Sequence, residues 1–98
     1  MAYRALSIFV ESSSPEKVHV ESLRLMSGHW AVGKSLVESG LRSRTGASLL
    51  QINRGDEAIP SPSPEARFQV EDELVLFGER EHIKRAKKLL ETGEGEQK

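Results

Sequence analysis

Apolar positions along the chain fall into short clusters separated by turn-forming residues, and the spacing within each cluster predicts an element. Residues 17–26 ("KVHVESLRLM") alternate around Val18 and Val20 and then around Leu23 and Leu25, with the phase slipping near Glu21-Ser22. This predicts a strand with a bulge or break at the slip. Residues 27–32 read as a loop. Residues 33–40 ("GKSLVESG") predict a short helix with Val32, Leu36 and Val37 on one face and Gly40 as its left-handed C-terminal cap. Residues 41–46 read as a polar connection ending at Gly46. Residues 47–53 ("ASLLQIN") predict a strand, Gly55-Asp56 a two-residue hairpin turn, and residues 57–60 the return strand, with Pro60 ending its pairing. The proline-rich stretch 61–66 reads as a surface loop. Phe68 and Val70 alternate across residues 67–70, residues 71–73 form a turn, and the unbroken apolar run 74–78 predicts a buried strand. Residues 79–91 carry the strongest helical pattern: Ile83, Ala86, Leu89 and Leu90 form one stripe, acids sit in the first turn, and Lys87 and Lys88 lie near the end.

In order, these elements predict an α+β domain over residues 17–91: a small, mostly antiparallel sheet with two helices packed on it. Residues 1–16 stand apart as an N-terminal extension or linker. Their apolar patch "ALSIFV" (5–10) needs cover from something else, so it is the better candidate for a dimer contact. Residues 92–98 are a polar tail, and no internal repeat is visible.

Composition narrows the function. With 98 residues the chain fits one domain, and a domain of this size buries only about two thirds of its unfolded surface, so a dimer interface would help it. The 14 basic and 15 acidic side chains leave a net charge of -1, which gives no bulk attraction to nucleic acid or an anionic membrane. The lack of cysteine removes thiol nucleophiles, zinc-thiolate sites and iron–sulfur clusters, and it leans toward the cytoplasm.

Several local motifs read as structure. Arg54-Gly55-Asp56 spells a cell-adhesion tripeptide, but it lies at a hairpin tip, where Gly supplies a positive φ and Asp tolerates one. Gly28-x4-Gly33-Lys34-Ser35 formally matches a phosphate-binding loop without the strand, long helix and large α/β domain that would confirm it. His19, His29 and His82 have no metal-ligand spacing, and the acids at Asp56-Glu57 and Glu71-Asp72-Glu73 fall in predicted turns, where they are normally solvated. Trp30 reads as core or as a partner contact. Arg42, Arg44 and Arg54 are candidates for an anion-binding cluster, and Ser61-Pro62-Ser63-Pro64 is a candidate for a loop closing over an effector at a dimer seam. No constellation of nucleophile and base is present, so an enzyme is not expected.

An ordered set of residues carries a family resemblance: Gly33-Lys34-x-Leu36, Leu41-Arg42, Gly46, Ile52-x-Arg54-Gly55, Ile59-x-x-Pro62, Asp72-x-Leu74 and Gly78. Over about residues 17–91 the chain resembles the C-terminal domain of regulators of potassium conductance, the TrkA-C family. The resemblance implies a βαβββα-type fold that dimerises. It implies a cytoplasmic regulatory module at the inner face of the membrane, attached to or partnering a potassium channel, a potassium transporter or a cation/proton antiporter; the charge balance adds that no nucleic-acid partner is expected. It also implies an effector at the homodimer interface, cyclic di-AMP or another nucleotide, whose phosphates meet an arginine at the Leu-Arg step. An asparagine six residues later and the following apolar strand hold the base. Carried over, the arginine is Arg42, Ser48 stands at the asparagine position, and the strand is Leu49, Leu50, Gln51 and Ile52, with Ile59 and Pro60 beside it. The alternative is an oligomerisation module of a transport complex that takes no ligand.

Overall fold

The computed structural model describes residues 18–94, so the expectations for the N-terminal extension and most of the polar tail lie outside the described residues. The elements are β1 (His19–Arg24), α1 (Leu36–Ser39), α2 (Leu41–Thr45), β2 (Ser48–Arg54), β3 (Glu57–Pro60), β4 (Glu73–Gly78) and α3 (Arg80–Thr92). All strand pairs are antiparallel, in the order β1-β4-β2-β3. The long helix α3 packs on β1, β4 and α2. This is the expected α+β architecture.

The run 74–78 lies in the middle of the sheet but is buried on one face only. Leu74 and Leu76 point into the core, while Phe77 is 38% exposed on the other face. The core joins these leucines to Leu25, Leu41, Ile52 and Phe68 and to the α3 stripe Ile83, Ala86, Leu89 and Leu90, all but fully buried.

Four local expectations differ from the structure. First, β1 pairs with β4 in an unbroken register from His19↔Gly78 to Arg24↔Glu73, with no bulge at Glu21-Ser22. The phase slip has another cause: Val20 faces outward beside Phe77, whereas Leu23 faces inward beside Leu74, so β1 carries apolar residues on both faces. The register shift is in β2, between Leu49 and Gln51. Second, the "polar connection" 41–46 is a helix. Leu41 and Thr45, four residues apart, point into the core while the polar residues between them face outward. Gly40 (φ 66) closes α1 and opens α2, and Gly46 (φ 86) closes α2 with its N–H on the Arg42 carbonyl. Third, residues 67–70 form no strand. Phe68 is buried by itself and bonded through its backbone to Gly33 and Lys34, while Val70 is exposed and only Arg67 makes an isolated bridge, to Ser35. Fourth, of the acids at 71–73, Asp72 is not solvated but 1% exposed.

The expected helix 33–40 shortens to four residues because Ser35 is its N-cap. Ser35 Oγ accepts from Glu38 N (3.1 Å) and Glu38 Oε1 accepts from Ser35 N (3.0 Å), a reciprocal capping box. The Ser35 bond and the nearby Arg67 hold the Glu38 carboxyl below the usual carboxylate range. A helix this short has little else to define it. Ser35→Ala is expected to cost about 1 kcal/mol, a fall in melting temperature of about 4–8 °C for a domain of this size, measurable by thermal denaturation.

Candidate functional site

The α1–α2 corner and the start of β2 enclose a groove of about 440 Å³. Leu36, Val37 and Gly40 line it from the α1 side and Leu41, Arg42 and Ser43 from α2, with Ala47 just before β2, Ser48 and Leu49 from β2 and Pro64 from the proline-rich loop. The floor is aliphatic and the rim is polar. The loop is held there by backbone bonds: Val37 N donates to the Pro64 carbonyl (2.9 Å) and Leu36 N to that of Ala66 (2.9 Å). Gly46 fixes how α2 meets β2. A Cβ there would meet the His82 ring at 3.0 Å, in a left-handed backbone that only glycine adopts without strain.

At the rim, Arg42 Nη1 donates to Ser48 Oγ at 3.2 Å. A guanidinium placed over an apolar floor suits a ligand with a phosphate at one end and a flat, weakly polar body at the other.

The other two arginines are committed elsewhere. Arg44 Nη2 donates to the Gly93 carbonyl at 3.1 Å, and its guanidinium lies 5.7 Å from the centre of the Trp30 ring, opposite the end of α3. Arg54 donates to Asp72 through Nε and Nη2, both at 2.9 Å, and to the Arg67 carbonyl. This pairing with Asp72 raises the already high pKa of Arg54. The Arg54-Gly55-Asp56 stretch is therefore a structural corner, with Gly55 at φ 59. Lys34 lies 4.7 Å from the Trp30 ring, and Ser35 caps a four-residue helix, so Gly33-Lys34-Ser35 builds no phosphate loop. His29 Nδ1 accepts from Met26 N.

Of the eight residues carried over from the resemblance, the structure brings Arg42, Ser48 and Leu49 together in the groove. Leu50 sits at the β2 irregularity, 43% exposed, with its carbonyl accepting from Ser61 N. Gln51 bonds Asn53, Ile52 is in the core against Leu74 and Ile59, and Pro60 ends β3 opposite Gln51. These five lie outside the groove of a single protomer. Leu36, Val37 and Leu41 also line the groove and were not singled out from the sequence, although Leu36 and Leu41 belong to the very steps that carried the resemblance; Pro64 belongs to the loop named as a candidate to close over an effector. Among the described residues, no three His, Asp or Glu side chains come together to hold a metal, and no helix is long and apolar enough to cross a membrane.

The model of the TrkA-C domain matches residues 20–91, most of the chain and all but the outermost residue of β1 and of α3. The chain belongs to the TrkA-C domain family. As a TrkA-C domain it is 36% identical, over 58 residues (59% of this chain), to potassium channel protein 1 of Methanocaldococcus jannaschii, and it spans 17% of that protein's length. Its fold is similar to the RCK C domain of the potassium transport protein KtrA in complex with cyclic di-AMP (TM-score 0.69, 23% identity, 86% of this chain and 96% of the other). It is similar as well to the RCK_C domain dimer of S. agalactiae BusR with cyclic di-AMP (TM-score 0.67, 22% identity, 72% and 93%). A structure of BusR with its promoter DNA also matches (TM-score 0.64, 18% identity, 91% and 45%).

Proposed function

We propose that this TrkA-C domain is a non-catalytic regulatory module on the cytoplasmic side of a potassium channel, potassium transporter or cation/proton antiporter. It acts as a homodimer and takes a phosphate-bearing nucleotide in the Arg42 groove, cyclic di-AMP being the first to test. The observation that carries this is the rim guanidinium of Arg42 over an aliphatic floor. The KtrA and BusR domains, similar in fold, bind cyclic di-AMP and support the choice of nucleotide. The groove is open on one side, and Val37 at its edge is 63% exposed, which suits a second protomer closing it. An effector bridging two protomers favours one dimer geometry, and that geometry biases the transport protein joined to it. The net charge of -1 gives no electrostatic footprint for DNA, so the DNA bound by BusR is not carried over.

Thermal shift tests this. A ligand held only by the folded state stabilises it by about 2.7 kcal/mol at a hundredfold excess over Kd, and cyclic di-AMP is expected to raise the melting temperature accordingly. A melting temperature that ignores every nucleotide and follows protein concentration alone would replace the sensor with a ligand-free oligomerisation module.

A further inference from the structure

Helix α2 has a fully buried hydroxyl at each end, Ser39 before it and Thr45 as its last residue. Ser39 Oγ donates to the Leu36 carbonyl (2.7 Å) and accepts from Leu41 N (3.2 Å), across the α1–α2 corner. Thr45 Oγ1 donates to the Leu41 carbonyl (2.6 Å) and accepts from Ala47 N (3.1 Å), across the α2–β2 corner. The backbone groups they hold belong to Leu36, Leu41 and Ala47, and all three residues line the Arg42 groove. Each corner turns on a left-handed glycine, Gly40 or Gly46, which has no side chain to brace it. The neighbouring hydroxyl supplies that brace.

Thr45 bears most directly on the rim. Arg42 and Ser48, which meet at 3.2 Å, stand on opposite sides of the α2–β2 corner, and the chain between them passes through Thr45, Gly46 and Ala47. Thr45 is the side chain bonded to both arms of that corner. A methyl in place of its hydroxyl would fill the same space but leave the Ala47 N–H buried without a partner, so the corner would have to turn to satisfy it. A guanidinium grips a phosphate through aligned N–H groups, and a small rotation of α2 spoils that alignment. We infer that Thr45, with Ser39 at the other corner, is a positioning residue for the effector, a role that rests on the reading proposed above. Neither side chain touches the ligand. Together they hold Arg42 over the groove floor before anything binds, so less ordering is left for binding to bring about.

Calorimetric titration with cyclic di-AMP, on folded protein well below its melting temperature, tests this. Thr45→Val keeps the shape and removes the hydroxyl. It is expected to weaken binding about tenfold, the lower end of the loss expected for the Arg42 contact itself. Thr45→Ser restores the hydroxyl and is expected to bind within about twofold of the parent. In an Arg42→Ala background, Thr45→Val is expected to change nothing further, because its effect passes through Arg42. Parent-like binding by folded Thr45→Val overturns the proposal, and so does an equal weakening with and without Arg42, which marks a merely structural role. If Thr45→Val does not fold, Ser39→Ala makes the same comparison at the other corner, with the same Arg42-dependent weakening expected. If the parent binds no cyclic di-AMP, the effector reading and this positioning role fall together, whereas binding by the parent that the variants leave unchanged sinks the positioning role alone.

Discussion

Asp72→Ala is expected to lower the stability of the domain by about 3 kcal/mol, the lower end of the range for breaking a buried ion pair. The corresponding fall in melting temperature is roughly 12–24 °C for a domain of this size. Asp72 is almost fully buried, and its carboxylate accepts three bonds: Arg54 Nε and Nη2 at 2.9 Å and Gln69 N at 2.8 Å. Its backbone is used as well, with Leu25 N donating to its carbonyl at 2.8 Å. The side chain thus ties the end of β2 to the turn that starts β4, while the backbone of the same residue holds the residue after β1. Removing it strands the Arg54 guanidinium and the Gln69 amide together. The lower end of the range is chosen because the Arg54 side chain keeps 30% of its exposure, which lets water take over part of the pairing. Thermal or denaturant unfolding measures the loss, and Arg54→Ala with the double variant gives the coupling energy. A loss under about 0.5 kcal/mol, the size of an ordinary surface substitution, would show that water replaces the carboxylate.

Asp72 also shows where sequence reading stops. In the sequence it is one of three acids in a turn, and such acids are usually solvated. Its burial depends on Arg54, 18 residues away, and nothing local signals that pairing. The strands β2, β3 and β4 and the helix α3 were legible because each is long enough for its period to show or is marked by a turn. The helix α2 was not, since five residues hold only one i, i+4 pair, Leu41 and Thr45, between two glycines that read equally well as loop. The groove was legible in part. Arg42, Ser48 and Leu49 came from a family pattern, because the physical reason they meet is the sharp α2–β2 corner at Gly46. Leu36, Val37 and Pro64 come from segments that the chain brings together only through the backbone bonds of Val37 and Leu36 to the proline-rich loop.

Arg42→Ala is the variant on which the effector reading turns. Arg42 is exposed and bonds Ser48 at the rim, so its loss is expected to leave the unliganded melting temperature within about 0.5 kcal/mol of the parent, as for other surface changes. The effect on binding is expected to be much larger. A hydrogen bond from a charged group is worth about 1.5–3 kcal/mol, so removing the guanidinium from a bound phosphate weakens binding by roughly 10- to 100-fold. At the same concentration, a hundredfold excess over the parent's Kd, the stabilisation by cyclic di-AMP would then shrink from about 2.7 to about 0.4–1.4 kcal/mol. Arg42→Lys retains the charge but loses the planar fork, and is expected to fall between the two. The parent's affinity should drop as salt is raised, because the contact lies at an open rim where ions screen it. An equal shift in the parent and in Arg42→Ala would place the nucleotide away from this groove, and the search would move to the other surfaces of the dimer.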